Sequence, residues 1–156
     1  MYTGGVKGNL YGGSELSDDG PEGGDPKDLI FVNLVGGTVS GNVFGGGYRG
    51  IVNGSTHLHI GKGASGECKY YQTYVDEKPE LQPSILKVDG SVYAGGDYGG
   101  GDKIDYTTIT VKGTSHVYID GTGYNTGDAE LMPEMRIAGG VFGSGASCDA
   151  GSTRLV

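Results

Sequence analysis

Three polar residues recur at one position of a short repeated pattern, and their side chains are the first candidates for chemistry. His57 and His116 hold equivalent places in two full copies, and Arg154 holds that place in a shorter third copy. Two imidazoles on neighbouring strands, with His59 two residues further on, offer the donor type that zinc prefers. Arg154 argues against a cation and would suit a carboxylate or a phosphate. We therefore favour a solvated polar column without a metal, and we keep all three residues as candidate ligand-binding positions.

An aromatic residue recurs at one position of a second repeated pattern. The four residues are Tyr11, Phe44, Tyr93 and Phe142. Aromatic rings on an exposed face would form a platform for the apolar face of a sugar ring. Regular alternation along a strand places these rings on the outer face. The flanking glycines allow the strand to bend, however, so alternation alone does not determine on which side the rings lie. We favour a packing role, as an internal aromatic ladder at a corner of the fold, and keep the four rings as candidate ligand-binding residues.

Two acidic loops have the hard oxygen ligands that calcium needs. Their carboxylates are Asp18, Asp19, Glu22, Asp25 and Asp28 in one loop, and Asp97, Asp102 and Asp105 in the other. Neither loop has the spacing of an EF-hand or of the glycine-rich calcium-binding nonapeptide. Solvated acidic loops without a bound cofactor are the expectation.

Other patterns that carry chemistry in proteins are weak in this chain. Residues 61–66 match the glycine spacing of a dinucleotide-binding loop, but with 34 glycines such a match is expected by chance. The two cysteines, Cys68 and Cys148, are expected to be inert or paired. No histidine is positioned beside either of them by the sequence, and no serine-hydrolase elbow is present. We find no catalytic residues and expect a protein that is not an enzyme.

These residues belong to two repeated elements, which the sequence predicts to be β-strands. Element A contains the aromatic residue. Element B contains the histidine, except at 29–35, where an apolar run without the B signature holds the corresponding place. Copies of A lie near 6–11, 39–44, 88–93 and 137–142, and copies of B near 29–35, 52–60, 107–119 and 151–156. Hydrophobic residues alternate in both elements, and β-branched residues dominate the apolar positions, as in half-buried strands. The chain is therefore predicted to be an all-β single repeat domain spanning 1–156.

Recurrence of one strand pattern four times favours a parallel β-solenoid (β-helix) of about four short coils with long loop insertions. An antiparallel β-sandwich is the alternative, because short strands with glycine turns suit that class too. The predicted core is one continuous stack of A-strand residues opposed by B-strand residues. The stack comprises Val39, Val43, Val88, Val92, Ile137 and Val141, opposed by Leu58, Ile60, Val117 and Ile119. Segments 17–28, 61–87 and 120–136 lack the strand pattern and are expected to be the most mobile.

Composition excludes several classes of partner. The net charge of −8 makes nucleic acid and anionic membrane surfaces unfavourable partners. No apolar run is long enough to cross a bilayer, so membrane insertion is not expected. The first A copy begins at residue 6 and the last B copy reaches residue 156. We expect a segment of a longer protein, or one whose ends associate end to end with other copies.

The strings Gly-Asn-Val-Phe-Gly-Gly-Gly at 41–47 and Gly-Ser-Thr-His-Leu-His-Ile at 54–60 resemble glycine-rich repeat regions of large bacterial surface and secreted proteins. The resemblance implies a parallel β-solenoid in an adhesin-like protein that is extracellular or on the cell surface, and it implies no catalytic residues. The expected function is a non-enzymatic spacer or adhesin stalk whose loops bind a glycan or a host or cell-surface protein. The alternatives are a carbohydrate-binding module and a polysaccharide-degrading enzyme on a β-helix.

Overall fold

A computed structural model describes residues 1, 4–20, 28–61, 70–75, 78–83, 85–98, 110–121, 124, 134–146 and 152–155. This part of the chain forms short β-strands. They are β1 (Gly5–Val6), β2 (Leu10–Tyr11), β3 (Asp28–Leu34), β4 (Gly37–Val39), β5 (Val43–Phe44), β6 (Ser55–Gly61), β7 (Tyr70–Val75), β8 (Lys78–Pro83), β9 (Ile85–Val88), β10 (Val92–Tyr93), β11 (Thr114–Asp120), β12 (Glu134–Ile137), β13 (Val141–Phe142) and β14 (Ser152–Leu155).

Twelve of these strands form three parallel sheets of four strands each. The first sheet has the order β1-β4-β9-β12, the second β2-β5-β10-β13, and the third β3-β6-β11-β14. Each sheet therefore takes one strand from each of four sequence repeats, and in every sheet the strands follow the order of the repeats. The expectation of an all-β chain with parallel strands is confirmed.

Element A is not one strand, as the sequence suggested, but two strands that belong to different sheets. In the second copy, Val39 ends β4 in the first sheet and Val43 begins β5 in the second sheet. The chain bends between them at Gly41, whose backbone lies close to the glycine of the repeat before it. A Cβ on Gly41 would lie 2.7 Å from the Gly8 carbonyl carbon, and one on Gly90 would lie 2.6 Å from the Gly41 carbonyl oxygen. Since side chains do not fit such contacts, glycine is required at this bend.

The inner faces of the three sheets contribute to a single hydrophobic cluster. Its fully buried members from the predicted core are Val39, Val43, Val88, Val92, Leu58, Ile60 and Val117. Ile137, Val141 and Ile119 pack against the cluster but are only partly buried. The predicted single stack is wrong in one respect. Because element A bends, Val39 and Val88 align in the first sheet, whereas Val43 and Val92 align in the second.

Element B forms the third sheet. Strands β6, β11 and β14 pair in parallel, and Val117 aligns with Leu58 on one side and with Leu155 on the other. The apolar segment that lacks the B signature forms β3 and pairs with β6 in the same sheet.

Two of the predicted loop insertions contain structure that the sequence did not indicate. Within 61–87, β7 and β8 form an antiparallel hairpin in which Tyr70 pairs with Pro83. Within 120–136, Tyr124 is only 3% exposed and belongs to the hydrophobic cluster. Its hydroxyl donates a hydrogen bond to the backbone oxygen of Val35 at 2.7 Å, which ties this insertion to the core. In the part of the chain that is described, no helix is long and apolar enough to span a membrane.

Candidate functional site

The predicted histidine column is formed by backbone register in the third sheet. His116 of β11 aligns with His57 of β6 and with Arg154 of β14. The neighbours of His57 in the strand, Thr56 and Leu58, are completely buried, so its imidazole lies on the opposite, outer face of the sheet. The side chains of the β14 residues lie outside the part of the structure that can be described.

Within this column the two imidazoles stack face to face. The ring centroids of His57 and His116 are 4.2 Å apart, and the ring planes differ by 10°. The ring of Phe31 stacks on the other face of His57, with a centroid distance of 4.8 Å. Phe31 was not identified from the sequence because its strand lacks the B signature. Phe31 holds the position in β3 that His57 holds in β6, and only the pairing of the two strands shows this.

This stacked arrangement does not suit a metal shared between the two rings. A metal ligated by an imidazole lies in the plane of the ring, about 2.0–2.1 Å from the nitrogen. The lone pairs of two parallel rings run side by side in separate planes, so they do not converge on one ion. Among the described residues there is also no group of three or more His, Cys, Asp or Glu side chains that could hold a metal ion.

A second, shorter column lies beside the first on the same face. His59 aligns with Tyr118 of β11 and with Asn33 of β3. The rings of His59 and Tyr118 are tilted, with centroids 5.4 Å apart. Burial lowers the pKa of His59, and the positive charge of His57 lowers it further when that residue is protonated. The neutral imidazole is therefore the favoured form of His59 in the folded chain.

The four aromatic residues of element A form a continuous stack along the second sheet. The centroid distances are 4.7 Å for Tyr11 and Phe44, 4.9 Å for Phe44 and Tyr93, and 4.9 Å for Tyr93 and Phe142, with interplanar angles of 8°, 8° and 12°. The rings pack against one another, as expected for a ladder. The ladder is buried at Phe44, which is 1% exposed, whereas Tyr11 and Tyr93 are partly buried and Phe142 is 45% exposed. None of the four rings belongs to the hydrophobic cluster.

Stacking decides which surfaces of the rings a ligand could contact. Phe44 is only 1% exposed because Tyr11 covers one face of its ring and Tyr93 covers the other. The inner rings therefore lack the free ring face that a sugar platform needs. The terminal rings, Tyr11 and Phe142, each stack on one side only within the ladder. Burial raises the pKa of Tyr11, although the amide of Asn9 donates a hydrogen bond to its hydroxyl at 3.0 Å.

A polar ladder runs along the bend between the first and second sheets, and the sequence analysis did not identify it. The Asn9 side-chain oxygen accepts the backbone N–H of Asn42 at 2.8 Å, and the Asn42 side-chain oxygen accepts that of Ser91 at 2.8 Å. The Ser91 hydroxyl then accepts the N–H of Gly140 at 3.1 Å. The available signal was the polar residue that follows the glycine in three of the four A copies.

A corner after the second-sheet strands carries two residues with unusual backbone conformations. Leu16 and Arg49 have positive φ angles of 62° and 57° although neither is glycine. The Arg49 guanidinium lies over the Tyr48 ring, 5.5 Å from its centroid. The Tyr48 ring in turn lies 5.7 Å from that of Tyr11. This corner forms an exposed polar and aromatic edge beside the ladder.

The described acidic residues stabilise loops. The Asp19 carboxylate accepts hydrogen bonds from the backbone N–H and the hydroxyl of Ser14, at 2.8 and 2.6 Å. Asp18 accepts the N–H of Ile51 at 3.1 Å. The backbone of Asp97 pairs with that of Tyr48 and Ala146. Asp28 lies in β3, and the remaining residues of interest are outside the described part of the chain, namely Glu22, Asp25, Asp102, Asp105, Cys68 and Cys148.

Comparisons of the chain with protein-family models, with curated proteins and with solved structures found no match.

Proposed function

We propose that this chain is a non-enzymatic structural segment of an extracellular bacterial surface protein, in which it acts as a spacer or adhesin stalk. We further propose that its three parallel sheets are the sides of a β-solenoid, in which each sequence repeat forms one coil. Support comes from the topology, because all four repeats supply strands to the same three sheets in the same order. The sheets also share one hydrophobic cluster.

The observation that carries this proposal is the four-ring stack of Tyr11, Phe44, Tyr93 and Phe142. Equivalent side chains contact one another from repeat to repeat instead of converging on a pocket. The bend between the first two sheets behaves in the same way, since each side-chain oxygen binds the next repeat. Repeated residues that serve contacts between coils are what a stacked scaffold needs, because no single coil can bury its apolar face alone.

The two alternatives have less support. A carbohydrate-binding module would use free ring faces, and those of Phe44 and Tyr93 are covered by neighbouring rings. A polysaccharide-degrading enzyme would need a pair of carboxylates positioned across a sugar bond. Glu134, an acidic residue of β12, instead forms an ion pair with Lys87, with a nitrogen–oxygen distance of 3.2 Å. Binding to a glycan or a host protein is accordingly proposed for the loops.

Deletion of one repeat tests whether the chain is a modular scaffold. Removing residues 88–136 joins Lys87 to Ile137, and these positions are in phase because Lys87 pairs with Arg136 and Val88 with Ile137. The shortened chain should fold with the same β-sheet circular dichroism spectrum, melt at a lower temperature and shorten in X-ray scattering by about 4.8 Å, one strand spacing.

Removal of residues 64–112 provides a control of the same length. It would connect the third-sheet strands β6 and β11 directly and eliminate the strands between them, so this variant should not fold. If both deletions unfold the chain alike, the modular scaffold is wrong. A glycan array and a polysaccharide-depolymerisation assay on the intact chain would detect the two alternatives.

A further inference from the structure

Backbone hydrogen bonds join the second-sheet strands at equivalent positions from repeat to repeat. Each repeat donates two N–H groups to carbonyl oxygens of the next. The pairs are Leu10 to Asn42, Gly12 to Phe44, Val43 to Ser91, Gly45 to Tyr93, Val92 to Gly140 and Ala94 to Phe142, at 2.9–3.0 Å. The strands also exchange the ladder bonds of parallel pairing, so each edge of the stack presents both N–H and carbonyl groups, in a register that fits the opposite edge.

The outermost repeats leave this pattern incomplete. In the fourth repeat, the N–H groups of Val141 and Gly143 occupy the donor positions, and no acceptor for them lies within the described ranges. In the first repeat, the carbonyls of Asn9 and Tyr11 occupy the acceptor positions, and no described N–H reaches them. Open strand edges of this kind pair readily with another chain.

Three of the four ends of the two side-chain columns carry an aromatic residue. Phe142 closes the ring ladder at the fourth repeat and is 45% exposed, and Tyr11 closes it at the first repeat. In the third sheet, Phe31 closes the histidine column at the first repeat and is 57% exposed, whereas Arg154 lies at the other end of the register.

From these edges we propose that copies of this chain associate head to tail, with the fourth repeat of one copy docked on the first repeat of the next. Val141 and Gly143 then donate to Asn9 and Tyr11 of the neighbouring copy, and Phe142 stacks on its Tyr11. The interface repeats the contacts that already join successive repeats within one chain. One contact is missing, because Gly140 has no side chain to continue the polar ladder. Such an interface does not close on itself, so it builds linear oligomers.

Charge sets the conditions for detecting this association. Each copy has a net charge of −8, so two copies repel each other at low ionic strength. Salt screens this repulsion, with a Debye length of about 3 Å at 1 M. Sedimentation velocity of the full chain in 0.5 M NaCl should therefore show species larger than a monomer that increase with protein concentration.

Two variants with one blocked end each give the decisive test. Phe142→Lys introduces a charge at the fourth-repeat end, and Phe31→Lys introduces one at the first-repeat end. Each variant alone should be a monomer, with self-association at least tenfold weaker than that of the unmodified chain. A 1:1 mixture should form a dimer and stop there, because each variant retains one open end and the two open ends are complementary. Ile85→Lys is the matched control, since Ile85 is also 45% exposed but lies in an inner repeat.

The dimer in the mixture also shows that both variants are folded, and circular dichroism checks each one alone. The proposal is overturned if the unmodified chain remains monomeric up to millimolar concentration. It is also overturned if either variant alone associates as the unmodified chain does, which would indicate a face-to-face dimer or a lateral contact, or if the mixture remains monomeric. The deletion of residues 88–136 retains the end strands of the second and third sheets, so its folding is judged separately from this association.

Discussion

His57 and His116 stack with their ring planes 10° from parallel and their centroids 4.2 Å apart, although 59 residues separate them in the sequence. When both rings are neutral, this contact contributes aromatic packing on the outer face of the third sheet. When both rings are protonated, two positive charges lie at the spacing of neighbouring strands and repel each other. Two positive charges in this column would therefore weaken the contact between the repeats that it joins.

Acidification should destabilise the chain, and His59 should contribute to the effect. Burial lowers the pKa of His59 in the folded chain, so the unfolded chain binds its proton more readily. The stabilising contribution of neutral His59 is fully present above the unfolded pKa of about 6.5 and is lost as the pH falls below it. Urea unfolding between pH 7.5 and 5 should show a smaller loss of stability for His59→Gln than for the unmodified chain. Lys112→Gln, at an exposed lysine, should leave the pH dependence unchanged.

The central ring of the aromatic ladder should contribute more to stability than the terminal ring. Phe44 is 1% exposed between two stacked rings, so Phe44→Ala should cost about 3–5 kcal/mol in the free energy of unfolding. Phe142→Ala removes the same atoms from the half-exposed end of the ladder and should cost about 1 kcal/mol or less. Denaturant titration of the two variants gives the comparison. Equal losses would mean that the stack does not stabilise its inner member.

Tyr124 should anchor the third insertion to the core through its hydroxyl. Tyr124→Phe leaves the Val35 carbonyl without this buried hydrogen bond and should cost about 1–3 kcal/mol. Burial raises the pKa of Tyr124 to about 12, with a smaller contribution from Asp120 in the same direction. A raised pKa in the folded state means that this stability is complete below about pH 10 and is lost as the pH rises towards 12. Unfolding measured at pH 8 and at pH 10.5 should show a smaller difference for Tyr124→Phe than for the unmodified chain.

Glycine at the bend between the first and second sheets should resist substitution by alanine. A Cβ on Gly90 would meet backbone atoms of Gly41 at 2.6 and 2.7 Å, and backbone cannot move without separating the repeats. Gly90→Ala should therefore lower the melting temperature by several degrees or prevent folding. Gly121→Ala is the control, because its Cβ would meet only the flexible end of Met135, at 3.0 Å. A small effect at both positions would contradict the proposed close stacking.

Period-2 patterns and their recurrence are what made the strands and their alignment predictable. The register of His57, His116 and Arg154 followed from the recurrence of element B, because equivalent residues of stacked repeats must align. The bend within element A did not follow from the pattern. Val39 and Val43 are four residues apart, which places them on the same face of one extended strand as readily as on two strands joined at a glycine. Only the close contact between Gly41 and Gly8 distinguishes the two arrangements.

Contacts between residues that are far apart in the sequence were harder to predict. Phe31 shares no local pattern with His57, so only the pairing of β3 with β6 places it in the column. Tyr124 lies in a segment without strand periodicity, and its burial depends on a contact with Val35, 89 residues away. Contacts of this range depend on where the repeats bring the chain, and no local propensity contains that information.

Successive copies of element A begin 33, 49 and 49 residues apart, yet the strands of all four repeats align without a change of register in the second sheet. This constant register has a consequence for how the protein can evolve, because the segments between aligned strands differ in length. The entropy of closing a segment rises only with the logarithm of its length, so the step from 33 to 49 residues costs about 0.3 kcal/mol. A lineage can therefore lengthen, replace or decorate the segment between two neighbouring strands at almost no thermodynamic penalty. Sequence variation is therefore tolerated best in the segments between the strands. These segments can form new surfaces while the stacked strands remain unchanged.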